Sequence, residues 1–158
     1  MNAGEAAALL PQLLEARYPG EYERVEGVVE PAVMWLLRHE GAYCLLRATD
    51  TTAPFVWIKV GVGMEIPRSY ELAHHVACAN QQLVVGRVYL GHGEQVACVA
   101  VDETVFAESI ALEFEPSVHD LVNRLETAMT HARDLGAQLL PRYGGRPFAG
   151  RDWVNLIV

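Results

Sequence analysis

Lysine is almost missing from this 158-residue sequence, which contains a single Lys, Lys59, beside eleven Arg. Twenty Asp and Glu residues give the chain a net charge of −8. Binding to a nucleic-acid backbone requires a basic surface, and so does docking on an anionic membrane. The composition therefore predicts neither nucleic acid nor a membrane among the partners.

Long apolar runs are also missing, since none approaches the ~20 residues that a membrane-spanning helix needs. The first twenty residues carry acids early and lack the basic start of a signal peptide. The three cysteines, Cys44, Cys78 and Cys98, are odd in number, and each lies inside an apolar run. Buried, reduced thiols are typical of proteins in a reducing compartment. These features predict a cytoplasmic protein.

Recognisable motifs for catalysis or cofactor binding are scarce. The Gly61–Gly63 stretch lacks the further glycine of a phosphate-binding loop. His74 and Cys78, four residues apart on a predicted helix, share a face, but a zinc site needs at least three protein ligands. Cys78 or Cys98 paired with a His could be a nucleophile, yet no recognisable orienting acid lies nearby. We therefore predict a non-enzyme with no catalytic residue, cofactor or metal.

The sequence does contain enough apolar residues for a substantial core. Hydrophobic residues make up 51% of the chain and charged residues 20%, over a length that suits one domain. We predict a single domain over 1–158, with an N-terminal helix and lead-in over 1–30, a core over 31–145 and a C-terminal tail over 146–158. The apolar tail is expected to dock on the rest of the chain, as a short edge strand.

Hydrophobic periodicity predicts an α+β domain with an antiparallel sheet of about five strands in the order α-βββ-α-ββ-α. The last helix begins near Ser117 in this interpretation, and a weak further strand candidate covers 23–29. The predicted elements are a helix over 4–17, strands over 32–38, 42–48 and 54–62, a helix over 68–82, strands over 84–90 and 94–101, and the final helix.

The strand sequence PFVWIKVGV, residues 54–62, is apolar on both of its faces, although a strand with one wet face alternates apolar with polar residues. Side chains alternate along a strand, so two sets can be separated by parity. One set is mostly aliphatic and suits packing under helices: Met34, Leu36, Cys44, Leu46, Val56, Ile58, Val60, Val88 and Leu90, which Val96, Cys98 and Ala100 can join. The other set combines rings with cations, and we call it the aromatic face: Trp35, Tyr43, Arg47, Phe55, Trp57, Lys59, Arg87 and Tyr89.

Aromatic residues and Arg are enriched at binding hot spots, so the aromatic face is the predicted partner-binding or dimer-binding surface. Three explanations for its composition stay open. The first helix or the C-terminal tail covers it, a second copy covers it in a homodimer, or it binds a peptide or protein segment.

Two pieces of sequence resemble a known family. They are ELAHHVACANQQLVVGRVYLGHGEQVACVAV, which holds Asn80 near the end of a helix before a strand, and VNRLETAMTHARDLGAQLLPRYGG, a helix that ends in aromatic-Gly-Gly. Together with the order of elements, they resemble the class I type III secretion chaperone fold and, over about residues 70–145, its YbjN-like bacterial relatives. The resemblance implies a non-enzymatic, usually homodimeric protein without a cofactor. It also implies that the protein holds extended partner segments on an apolar surface or against a strand edge.

The sequence thus predicts a non-enzymatic protein- or peptide-binding domain, chaperone-like or regulatory, that acts as a homodimer. The alternatives are a structural or regulatory homodimer without a peptide ligand and a small-molecule-binding enzyme.

Overall fold

A computed structural model describes residues 3–26, 32–49, 55–83, 86–91, 93–106 and 115–157. Three helices, six strands and a C-terminal 3₁₀ helix follow one another along the chain. They are α1 (Ala3–Arg17), β1 (Tyr22–Arg24), β2 (Ala32–His39), β3 (Ala42–Thr49), β4 (Phe55–Pro67), α2 (Tyr70–Gln82), β5 (Arg87–Gly91), β6 (Val96–Phe106), α3 (Glu115–Tyr143) and the 3₁₀ helix (Asp152–Leu156).

The strands form one antiparallel sheet in the order β1-β2-β3-β4-β6-β5. The predicted α+β class is confirmed, and the short β1 adds a sixth strand at one edge, where it overlaps the start of the weak candidate 23–29. Glu40 and Gly41 connect β2 to β3 with positive φ angles of 47° and 79°. Two such residues match the turn that suits the twist of a two-residue hairpin. The last helix begins at Glu115, two residues before the expected Ser117.

All three helices pack on one face of the sheet. Leu14 of α1, Leu72 of α2 and Leu125 of α3 are fully buried in the same cluster as Ile58 and Val101 of the sheet. These strand residues alternate with the aromatic face, as the period of two requires. The aliphatic parity predicted for β3, β4 and β5 therefore lies under the helices, as expected.

The predicted placement of Trp35 on the aromatic face is wrong. Trp35 lies opposite Leu46 of β3, on the side under the helices, and is 5% exposed within the helix-side core. Met34 and Leu36, predicted to pack under the helices, lie on the opposite side with Leu45. The strand β2 is buried on both faces and is therefore apolar at every position from 33 to 37. Its sequence does not show which residues point towards the helices.

The same error affects β6. Val99 and Val101 belong to the helix-side core, whereas Cys98 and Ala100 belong to the cluster on the other side. Cys98 and Ala100 were expected to pack under the helices, so this placement is wrong. Since small apolar residues occupy both parities of this strand, their order again leaves the phase undetermined.

The tail is not the edge strand that we expected. Arg146 forms an isolated bridge with Met64, and Pro147 then removes a backbone donor, which prevents the ladder from continuing. The apolar residues of the tail have helical rather than strand spacing, since Trp153 is followed three residues later by Leu156 and then by Ile157. This spacing suits the 3₁₀ turn that forms.

Candidate functional site: a cationic and aromatic face under the C-terminal segment

Seven of the eight predicted residues remain on the side of the sheet opposite the helices, and the aromatic face below means these seven. The strand register brings their charges together at the centre of the sheet. Arg47 lies opposite Trp57, and both Lys59 and Arg87 lie opposite Asp102 of β6. Asp102 was not predicted, because one acid among twenty in the sequence carries no distinguishing signal.

Lys59 lies between two rings. Its Nζ atom is 4.0 Å from the centroid of Trp57 and 5.4 Å from that of Tyr89. The guanidinium carbon of Arg47 is 6.0 Å from the Trp57 centroid. Cations within about 6 Å of a ring centroid are attracted by the negative face of the ring. The rings and cations of this face are therefore one interacting group.

Burial of the ammonium group has an electrostatic consequence. Lys59 is 4% exposed, and this desolvation lowers its pKa, against an opposing contribution from the charge of Asp102. The charges of Arg47 and Arg87 lower the Lys59 pKa further. Asp102 is itself 5% exposed and accepts hydrogen bonds from Arg87 Nε at 2.8 Å and Nη2 at 3.1 Å. The one carboxylate in this group is thus already held by Arg87.

Two buried polar atoms of the face have no hydrogen-bond partner among the described residues. They are Arg47 Nε and Tyr89 Oη. Burial also raises the pKa of Tyr89, which keeps its hydroxyl protonated. An unpaired buried polar group costs about 1–3 kcal/mol. The face therefore offers a donor and a hydroxyl that the rest of the described chain does not satisfy.

The C-terminal segment, which we define as residues 146–157, covers the apolar part of this face. Phe148 lies directly on Gly61 of β4, so close that a Cβ atom built at position 61 would be 2.6 Å from the ring. Leu156 is fully buried, and together with Ile157 it closes a crevice lined by Lys59, Trp57 and their neighbours. Of the three explanations left open for the composition of this face, the first applies in part, because the chain covers the face with its tail rather than with its first helix.

Polar contacts hold the C-terminal segment at its beginning. The Met64 amide donates to the Arg146 carbonyl at 2.8 Å, and the Arg146 amide donates to the Met64 carbonyl at 2.9 Å. The Arg146 side chain donates to Glu65 at 2.9 Å and also pairs with Asp152. The hydrogen bond from Arg146 lowers the pKa of Asp152, which in addition accepts from the Ala149 amide at 2.8 Å.

The outer edge of β5 is capped by a side chain. Asn80 Nδ2 donates to the Val88 carbonyl at 2.8 Å, and the Val88 amide donates to Asn80 Oδ1 at 2.6 Å. These backbone groups point away from β6, because both of them bond to α2. A capped edge is protected against pairing with another chain. The role of Asn80 was not predicted from the sequence, although the residue was part of the resemblance.

The cysteines lie in three different places, and Cys78 is the one beside a histidine. Cys78 Sγ lies 3.6 Å from His74 Nε2 in a groove of about 370 Å³ between α2 and the end of α3. Burial raises the pKa of Cys98 to about 11 and raises that of Cys44 as well. Within the described ranges, no group of three or more His, Cys, Asp or Glu residues is arranged to hold a metal ion. Among the helices described, none is both long and apolar enough to cross a membrane.

A comparison with solved structures finds the same arrangement of helices and sheet in YbjN from E. coli, a protein proposed to be a transcription regulator. The TM-score is 0.58, and the match covers 83% of this chain and 91% of YbjN at 10% sequence identity. The fold is that of YbjN. The resemblance predicted from the order of elements is therefore confirmed, and at this identity the likeness to YbjN concerns the fold alone. No protein-family model matches the chain, and neither does any curated protein.

Proposed function

We propose that this protein is a non-enzymatic protein-binding domain, chaperone-like or regulatory, that holds an acidic and apolar segment of a partner protein on the aromatic face. The observation that carries the proposal is the pair of unsatisfied buried atoms, Arg47 Nε and Tyr89 Oη, beside the buried ammonium group of Lys59. A carboxylate and a carbonyl oxygen are the groups that would satisfy such donors.

Charge complementarity supports an acidic partner. The face presents Arg47, Lys59 and Arg87, whereas the carboxylate opposite them, Asp102, is already bound by Arg87. The chain as a whole carries a charge of −8, so an acidic segment is attracted to this face and repelled elsewhere. This difference in sign between the face and the rest of the chain favours a partner segment that carries carboxylates.

The face is a better candidate than the β5 edge for holding the partner. Asn80 already occupies the outward amide and carbonyl of Val88 on β5, which opposes strand addition there. On the face, the rings of Trp57 and Tyr89 provide flat apolar contacts beside the cations. A regulatory role through protein contacts also fits the proposal that YbjN regulates transcription, since the acidic charge of this chain disfavours direct binding to DNA.

Calorimetric titration with a synthetic peptide tests the proposal. The peptide has roughly a dozen residues with several Glu, one Phe and one Leu, and its matched control replaces each Glu by Lys. The Glu peptide is expected to bind, with an affinity that falls as salt is added. Arg47→Met is expected to weaken binding about tenfold, which corresponds to about 1.4 kcal/mol.

Arg142→Met is the matched control variant, because Arg142 lies on α3 beside Tyr143 and away from the aromatic face. It is expected to leave peptide binding unchanged. Equal binding of the Glu and Lys peptides, or an equal loss in both variants, would contradict the proposal.

The homodimer is a further part of the proposal. Tyr70 at the start of α2 is 81% exposed and stacks on His74 with 6.3 Å between ring centroids. Tyr is enriched at protein interfaces relative to the rest of the surface, so we place the dimer contact at Tyr70. Light scattering is expected to give a dimer for the wild type and a monomer for Tyr70→Ser, while Val154→Ser, at another exposed apolar residue, stays dimeric. A wild-type monomer at micromolar concentration would refute self-association without affecting the peptide proposal.

A further inference from the structure

We infer that the C-terminal segment, residues 146–157, is a built-in competitor for the aromatic face and leaves it when a partner segment binds. This inference rests on the proposed function and adds its regulation. The segment is the cover that the described structure places on the face, so a partner segment that uses the same rings and cations must displace it.

The C-terminal segment fits only half of the chemistry of the face. Phe148 and Leu156 fill the apolar positions and are 7% and 0% exposed. Asp152, its carboxylate, is bound to Arg146 and to the Ala149 amide instead of to the sheet cations. The segment therefore leaves Arg47 Nε unpaired. A partner that supplies both an apolar side chain and a free carboxylate would satisfy both halves and compete effectively.

The contacts that hold the C-terminal segment are few and separable from the rest of the fold. Its backbone pairing with the sheet is one isolated bridge, at Met64 and Arg146. Its regular structure is a five-residue 3₁₀ helix, which is marginal without packing. Gly144 and Gly145, with φ angles of 84° and 90°, connect it to α3 in a conformation that favours glycine. Opening at this point leaves the helix-side core intact.

The partner chemistry follows from what the C-terminal segment occupies. The surface of Gly61 accepts an aromatic ring, because the missing Cβ provides room for Phe148. The crevice beside Trp57 and Lys59 accepts an aliphatic side chain, as Leu156 shows. The partner segment thus carries an aromatic residue, an aliphatic residue and at least one carboxylate that reaches Arg47.

The first variant changes only the segment within the full chain, so that the face itself is untouched. The double variant Phe148→Ala/Leu156→Ala is expected to bind the Glu-rich peptide about tenfold more tightly than the wild type, because its competitor is weakened. Adding Gly61→Ala to this variant changes the face itself, because the methyl group fills the space that accepts a ring. Most of the increase in peptide affinity is then expected to be lost. Circular dichroism of each variant establishes that it is folded.

Hydrogen exchange on the wild-type chain provides a second measurement that does not depend on any variant. The amides of Met64 and Ala149 are both held by contacts of the segment. Peptide binding is expected to increase their exchange rates at least about threefold while the core of α3 is unchanged. This measurement decides the question if the double variant does not fold.

The outcomes separate the inference from the proposed function. Equal peptide affinity in the wild type and the folded double variant would overturn competition and leave peptide binding standing. Peptide binding that leaves the exchange rates of the Met64 and Ala149 amides unchanged would also overturn the competition and leave peptide binding standing. Absence of binding to the wild type and to the folded double variant would overturn the proposed function and, with it, this inference.

Discussion

Replacing Gly61 by Ala is expected to displace the Phe148 ring from β4 while leaving the sheet intact. Gly61 lies within β4 and is not among the residues with positive φ, so Ala can adopt its backbone conformation. The added methyl carbon would lie 2.6 Å from ring atom Cδ2 and 2.7 Å from Cε2, which is too close for either to stay. The perturbation is therefore specific to the contact between the segment and the strand.

The magnitude follows from the burial of the ring. Phe148 is 7% exposed, and full burial of such a side chain contributes about 1.5–3 kcal/mol. Replacing glycine by alanine inside a strand by itself raises the free energy of unfolding by about 0.5–1 kcal/mol. Gly61→Ala is thus expected to lower the free energy of unfolding by about 1–2 kcal/mol. In a Phe148→Ala background it is expected to be neutral or slightly stabilising, since the ring is gone.

Urea unfolding followed by circular dichroism for all four members of this cycle gives the coupling between the two positions. A coupling of about 2 kcal/mol is expected. The matched ring change Tyr43→Phe, at a residue whose ring lies 6.4 Å from that of Phe148, is expected to give little coupling with Gly61→Ala. A coupling below about 0.5 kcal/mol between Gly61 and Phe148 would refute the packing of the ring on β4.

Three further predictions concern titratable groups. Lys59→Met is expected to weaken binding of the Glu peptide, because it removes one of the cations of the face; an unchanged affinity in calorimetric titration would contradict this. The lowered pKa of Asp152 means that its contribution to docking of the segment is complete above its ordinary value of 3.8 and is lost as the pH falls through the lowered value. The amide resonance of Ala149 is expected to shift in that range and to be unresponsive in Asp152→Asn. A thiol reagent at pH 8 is expected to modify Cys78 rapidly and the other two cysteines only after unfolding, and Cys78→Ser should abolish the rapid phase.

The sequence was sufficient for the architecture because most elements have a clear period. The stripe of α3, with Leu121, Leu125 and Met129, places one apolar face. In β4 the aliphatic Val56 and Ile58 alternate with rings and a cation, which separates its two faces by residue type. The order of these elements then suggested the YbjN fold, which the structure comparison confirms. Local patterns succeed where the two faces of an element differ in residue type.

The candidate site was less predictable, because its contacts join distant parts of the chain. Trp35 was misplaced since both faces of β2 are apolar, and parity has no meaning there without the register to Leu46. The contact between Phe148 and Gly61 spans 87 positions, and a glycine inside a strand is its only local sign. The partner-binding role of the aromatic face stays a prediction that the peptide titration tests.

The capped edge and the covered face solve related problems for an acidic chain with an apolar sheet. An exposed strand edge or a bare aromatic surface invites unspecific association. Asn80 closes the edge at Val88 with both groups of its amide, which leaves no unsatisfied atom at that position. The C-terminal segment closes the face with side chains that leave Arg47 Nε and Tyr89 Oη unpaired. The closure at Val88 is therefore complete, whereas the closure of the face is incomplete. A competing ligand gains hydrogen bonds at the face and none at Val88, which is why we assign recognition to the face.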